Sequence, residues 1–163
     1  VARHYKSGKT IDDDLFTRLA ASRTYQSGMQ MVRQLEFALF DFRLHLEYET
    51  ATVDEIQALI DRIREQVAVV PYPAFNRFQH SFAHIFADGY AAGYYSYKWA
   101  EVLSADAFSR FEETGIFNQQ TGKEFLQSIL EQGGARDPMD LFVEFRGRKP
   151  SIEPLLRHSG ITA

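Results

Sequence analysis

The sequence predicts an all-α fold, and three observations carry that prediction. Apolar residues recur at three- and four-residue steps through most of the chain, no segment shows the alternation of a half-buried strand, and helix start and stop signals bracket the periodic runs. The 163 residues are 45% apolar and 14% aromatic, enough to build a core, so the chain reads as one domain or a large piece of one. The net charge of -4, with an isoelectric point near 5.7, argues against nucleic acid as the main partner, because phosphate binding calls for a basic stripe. The absence of cysteine excludes a disulfide scaffold, a Cys-ligated zinc site and a thiol nucleophile. No apolar run approaches the ~20 residues of a membrane span, so no membrane partner is expected.

The elements follow in order. Asp12 to Asp14 cap and charge the first turn of a helix that holds Leu15, Phe16 and Leu19. A long helix is predicted over Thr24 to Tyr48. It carries one stripe through Met31, Leu35, Ala38, Leu39, Phe42 and Leu46 and a second through Val32, Phe37, Phe40 and Leu44. Apolar over more than half its circumference, it should be buried among other helices. Thr52 and Glu55 form a T-x-x-E capping box, which opens a third helix running to about Val67. Pro71 and Pro73 then impose an aromatic-rich loop, because each disfavours helix in the residue before it.

The next helix is expected over Tyr90 to Thr114 and ends at Gly115. Further helices are expected over Thr121 to Gln132, closed by Gly133 and Gly134, and over Pro138 to Phe145, closed by Gly147. A short last one covers Ser151 to His158, with Gly160 beyond it. There is no internal repeat and no low-complexity segment. The opening at Val1 reads as mid-protein sequence, so the expectation is the C-terminal part of a larger protein.

Chemistry concentrates in FQHSFAHIFADGYAAGYYSYKWAEV, Phe78 to Val102. Four of the eight tyrosines fall between Tyr90 and Tyr97. On a helix, Tyr90, Tyr94 and Tyr97 share a face at i, i+4 and i+7, while Tyr95 and Trp99 share another. Gly89 and Gly93 stand among them, where backbone and ligand could approach closely. Tyrosine stripes at this spacing commonly serve as core or interface. The functional reading is a donor array: phenol and imidazole both donate to a developing oxyanion. His80 and His84 have the i, i+4 spacing of an H-E-x-x-H zinc helix, but Ser81 stands where the glutamate belongs and no third ligand is close in sequence. No metal ligand is therefore assigned. His4, His45 and His158 are isolated, and Lys98 points away from Tyr97.

This segment resembles the thimet-oligopeptidase and oligopeptidase A family of zinc metallopeptidases. The resemblance rests on His84-Ile85-Phe86-Ala87, on Gly89 through Tyr97 (GYAAGYYSY) and on Trp99-Ala100-Glu101. It extends to QMVRQLEFALFDFRLH, ADAFSRFEETGIFN, Gly133-Gly134 and FRGRKP, and so covers nearly the whole chain, most like the bacterial oligopeptidase A branch. It implies a helical array forming the C-terminal part of a zincin-type catalytic domain over residues 1–163, hydrolysing short peptides in the cytoplasm. It also implies zinc held by an HExxH helix and a glutamate on the next helix, with the HExxH glutamate as general base. No HExxH occurs here, so the upstream part of the same polypeptide would carry the metal, and the isolated chain would be inactive.

Position by position, His84 matches the family histidine near the oxyanion and Tyr97 the tyrosine that donates to the tetrahedral intermediate. Tyr90 matches the tyrosine that contacts substrate backbone. Tyr94 matches a further substrate-wall position, and Gly89 and Gly93 the hinge-like glycines. Asp88 departs from the family's usual glycine, which raises the question of backbone strain there. The alternatives are a non-catalytic helical module that binds peptides or partners, and an independent metal site at His80 and His84.

Overall fold

Asp12 begins the first helix as its charge pattern requires. Its carboxylate accepts hydrogen bonds from the Asp14 and Leu15 N–H groups, and α1 runs Asp13–Ser22. The protein is described by a computed structural model over residues 3–161. Leu15, Phe16 and Leu19 stay exposed, so the apolar stripe of α1 is left open among the described residues.

The long helix starts later than predicted. Thr24 to Gln26 form a turn, and α2 spans Ser27–Glu47 because Gln26 adopts a left-handed backbone, φ 54°, that breaks the helix. Its burial also differs from the prediction. Glu36, Phe40 and Leu44 lie on one buried face and Phe37, Ala38 and Asp41 on the next, whereas Leu35, Leu39, Phe42 and Leu46 remain exposed at 39–72%. Two faces of α2 are covered, and the third stays largely open among the described residues.

The capping box forms as read. Thr52 accepts from Glu55 N–H, Glu55 accepts from Thr52 N–H, and α3 runs Val53–Val67. Leu59, Ile60 and Ile63 of α3 pack on Phe37, Phe40 and Leu44 of α2, joined by Phe82, Ile85 and Tyr94 from the chain that follows. Within this packing, the Arg64 guanidinium donates to Glu36 at 3.0 Å and to Asn76 at 2.8 Å, and lies 3.8 Å over the Tyr72 ring. The Tyr72 hydroxyl donates to the same carboxylate at 3.2 Å. The proline loop is thereby tied to both helices. A 3₁₀ turn over Phe78–Ser81 and a one-turn helix, α4 (Ala83–Phe86), complete this half.

The helix expected from Tyr90 begins only at Ser96. Residues 90–95 form turns, and α5 covers Ser96–Thr114, ending at Gly115 with φ 109°. The helix expected at Thr121 to Gln132 divides into α6 (Gln119–Phe125), capped by Asn118, and a π turn over Leu126–Leu130. Then α7 covers Pro138–Arg146, capped by Asp137 and stopped by Gly147 at φ 75°, and α8 covers Glu153–His158. Helix α5 packs on α6, α7 and α8. The rings of Phe111, Phe125 and Phe145 meet at 5.2–6.3 Å.

Asp106, fully buried on α5, joins this half together. It accepts from Arg146 at 3.0 Å, from both terminal nitrogens of Arg148 at 2.6 Å, and from Ser151 N–H at 2.7 Å. Burial opposes its charged form, but the Arg148 guanidinium, Ser151 N–H and Arg146 outweigh it and hold the carboxyl below its ordinary value. Among the described residues there is no strand, only an isolated antiparallel bridge between Arg3 and Thr10, and the all-α class stands. No helix among them is long and apolar enough to cross a membrane.

Removing the Asp106 carboxylate leaves the buried Arg146 side chain short of a partner. Asp106→Ala is expected to cost about 3–5 kcal/mol in urea unfolding; a loss under about 1 kcal/mol would refute its organising role. Glu112 gives a pH signature. Its bond to Arg157, helped by His158, lowers its carboxyl from the ordinary 4.5 to about 2. A lowered folded value means that its stabilisation is complete above pH 4.5 and is lost as pH falls through about 2. Melting temperature followed from pH 5 to pH 2 should fall less steeply in Glu112→Gln.

Candidate functional site

After α4 the chain doubles back. The Ala87 and Asp88 N–H groups both donate to the Ala83 carbonyl, at 2.7 and 3.2 Å. Gly89 then takes φ 80°, a conformation open to glycine and strained for L side chains. This lets Tyr90 N–H reach the His84 carbonyl at 3.1 Å. Gly93 N–H closes the next turn on the Tyr90 carbonyl at 2.8 Å. Asp88 is not among the residues with positive φ, so an aspartate there causes no backbone strain. The strained residue is Ala92, at φ 55°. Gly93 has no unusual φ, and a Cβ there would rest at ordinary contact distance, 3.4 Å, on the Tyr90 carbonyl.

The turn gathers the residues that a helix was expected to align. The Tyr90 and Tyr97 rings stack with centroids 4.9 Å apart, and Tyr94 meets Tyr97 edge-on at 5.2 Å. The His84 ring lies 6.2 Å from Tyr90, 5.8 Å from Tyr94 and 6.3 Å from Tyr97. His84, Tyr90, Tyr94 and Tyr97 thus form one cluster. Within it, the exposures differ. Tyr94 is 9% exposed and its hydroxyl donates to Gln34 on α2 at 2.8 Å, whereas Tyr97 is 38% exposed and His84 is open to solvent. Tyr95 lies outside the cluster, edge-on to Phe42 at 6.1 Å. Lys98 is engaged with Glu101 at 2.6 Å.

The environment raises the pKa of two of the phenols, Tyr94 and Tyr97. The Tyr90 hydroxyl beside Tyr97, with burial and repulsion from Tyr90, Tyr94 and Asp88, pushes Tyr97 up to about 12. Burial pushes Tyr94 up as well. Tyr97 is therefore a neutral hydrogen-bond donor throughout the physiological range. The cluster offers a surface of donors with no charge of its own on the phenols, suited to meeting negative charge that develops on a bound group.

Two positions that support the cluster were not singled out by the sequence reading. Asp41 on α2 is fully buried and accepts from Ala92 N–H and Tyr94 N–H, each at 2.9 Å. Gln34 takes the Tyr94 hydroxyl. They stand seven residues apart on α2, with Phe37 between them stacked edge-on against Tyr94 at 6.0 Å. Polar residues at i and i+7 on a face that also carries buried phenylalanine were the available signal.

Among the described residues, no three His, Cys, Asp or Glu side chains are grouped so as to hold a metal ion. The residues present therefore do not fit a zinc site. His80 faces a shallow pocket with Val53, Ile56 and Phe86. His45 is bound to Asp41 at 3.0 Å and His158 to Glu112 at 3.0 Å. A separate groove of about 250 Å³ runs between α2 and the 68–72 segment; none of its lining residues belongs to the tyrosine cluster.

With that geometry in place, the comparisons with known proteins agree with one another. The chain is 52% identical to oligopeptidase A of Escherichia coli (strain K12) over 161 residues, 99% of this chain and 24% of that protein. It is 48% identical over 167 residues to the probable cytosolic oligopeptidase A of Arabidopsis thaliana, again 24% of that protein. The dipeptidyl carboxypeptidase of Escherichia coli is 37% identical over 166 residues. The chain spans about a quarter of the length of the curated relatives it matches. The model of peptidase family M3 matches residues 1–161, and the chain belongs to that family.

Proposed function

We propose that residues 1–163 form the C-terminal wall of the active site of a zinc-dependent oligopeptidase that hydrolyses short peptides in the cytoplasm. The observation that carries this reading is the convergence of His84, Tyr90 and Tyr97, with centroids 4.9–6.3 Å apart, on a partly open surface where Tyr97 is held neutral. Oligopeptidase relatives in bacteria and a plant, one of them named as probably cytosolic, support the substrate class and the location.

When water adds to a peptide carbonyl, negative charge grows on the carbonyl oxygen. Tyr97 donates its phenolic proton as a hydrogen bond to that oxygen, and His84 donates beside it. Both bonds strengthen as the charge develops, so they lower the barrier more than they tighten ground-state binding. Tyr90, stacked on Tyr97, contacts the substrate backbone. Gly89, at φ 80°, allows the turn to fold back, and Gly93 lies in the same turn beside the peptide. Tyr94, its hydroxyl engaged by Gln34, forms the back of the substrate wall.

Zinc, implied by the family resemblance, has no ligand set among the described residues; its ligands belong to the remainder of a longer polypeptide. That remainder is also the partner that the uncovered stripes of α1 and α2 fit.

In the longer polypeptide, Tyr97→Phe is expected to lower kcat by ~10²–10³-fold, the usual loss for one oxyanion donor, with little change in KM. Equal kcat values for the two proteins would remove Tyr97 from this role. The isolated 163-residue chain should not turn over a short peptide; measurable hydrolysis by it would overturn the division of the site between two segments.

A further inference from the structure

We infer that Asp41 is a positioning residue for the reaction, holding the tyrosine turn in its working shape from helix α2. The inference rests on the role proposed for Tyr97. Asp41 has no exposed surface, and its two carboxylate oxygens accept separately: Oδ1 from Ala92 N–H and Oδ2 from Tyr94 N–H, both at 2.9 Å. His45, one turn further along α2, faces the same carboxylate at 3.0 Å. Among the described residues, no guanidinium or ammonium lies within salt-bridge distance of it. The two oxygens are held by main-chain N–H groups, while the hydrogen bond of the His45 ring nitrogen is with the Asp41 main-chain carbonyl at 2.9 Å.

The backbone that Asp41 grips is the part that would not keep its shape unaided. Ala92 sits at φ 55°, a region costly for a residue with a Cβ, and its N–H is one of the two donors. Pinning the N–H groups of residues 92 and 94 to one rigid carboxylate fixes the intervening Gly93. It also sets the direction in which the chain enters α5, one turn before Tyr97. The Tyr97 N–H bonds to the Tyr94 carbonyl at 3.2 Å, so the residue held by Oδ2 carries the first turn that presents the Tyr97 side chain. A carboxamide at position 41 cannot reproduce this. It has one acceptor oxygen, and its NH₂ group would face a backbone N–H, donor against donor.

The test uses the full-length polypeptide. Asp41→Asn is expected to lower kcat toward short peptides by ~10²-fold with KM and bound zinc little changed, as for a donor displaced by about an ångström. Adding Tyr97→Phe to it should cost far less than Tyr97→Phe costs alone, because a misplaced hydroxyl has little left to lose. Losses that multiply in full would overturn the positioning role while leaving Tyr97's own role intact; an Asp41→Asn enzyme with native kcat would overturn it as well. If Asp41→Asn does not melt cooperatively, Asp41→Glu decides. It keeps both acceptors but moves them by one methylene, so its kcat should fall, and native kcat in it overturns the proposal. The native protein supplies an arm independent of any substitution. In residue-resolved hydrogen exchange, the Ala92 and Tyr94 amides should exchange at least ~10²-fold slower than in a free peptide. Exchange at the unprotected rate would show that the grip is absent. If Tyr97→Phe alone leaves kcat unchanged, it is the proposed function that fails, and slow exchange would still report the grip.

Discussion

The geometry of the cluster depends on one buried carboxylate, that of Asp41, which among the described residues meets no guanidinium or ammonium within salt-bridge distance. Withdrawing a carboxylate from water costs several kcal/mol even after relaxation, and a protein tolerates this only where charge-assisted hydrogen bonds occupy the oxygens. At Asp41 those bonds come from the main chain of residues 92 and 94, with His45 alongside. The constraint runs in both directions. The carboxylate needs the turn for its donors, and the turn needs the carboxylate because Ala92 would otherwise relax out of a left-handed conformation.

Helix α2 can serve this purpose because its circumference is divided. The face with Glu36, Phe40 and Leu44 is committed to α3, where the Glu36–Arg64 pair fixes the rotation of the helix and anchors the proline loop through Tyr72 and Asn76. With the rotation fixed, the neighbouring face presents Gln34, Phe37 and Asp41 to the turn: one holds a hydroxyl, one packs a ring and one holds backbone. The exposed Leu35, Leu39, Phe42 and Leu46 occupy what remains. A stripe of that size left open is consistent with a chain that represents a quarter of its relatives' length.

What could be read from the sequence follows the range of the forces involved. Local signals were legible. Asp12 and the Thr52–Glu55 box cap the helices they were expected to cap, and Gly115 and Gly147 stop theirs, because each acts within one turn of its own backbone. The tyrosine spacing singled out residues that the structure does bring together, but by a different route from the one expected. The i, i+4, i+7 pattern predicted a helix from Tyr90, yet residues 90–95 are turns and the rings converge through Gly89 and Asp41. The burial of α2 was misjudged because periodicity shows which faces are apolar and not which of them find a partner in the same chain. Asp41 was passed over since a lone carboxylate in an apolar helix ordinarily reads as solvent-facing. Only the pairing with amides about fifty residues away makes it a core residue.

The division of labour among the tyrosines follows from the same packing. Tyr94 is buried with its hydroxyl bonded to Gln34, as suits a structural anchor, whereas Tyr97 is partly open and raised to about 12, as the role proposed for it requires. Raising that value makes Tyr97 a poorer acid in the resting state. This suits a group whose task is to share a proton with a transient oxyanion rather than release it. A residue tuned for full proton transfer would instead sit nearer neutrality. On the proposed function, the cluster would stabilise developing charge, and deprotonation of the attacking water would come from a group outside it.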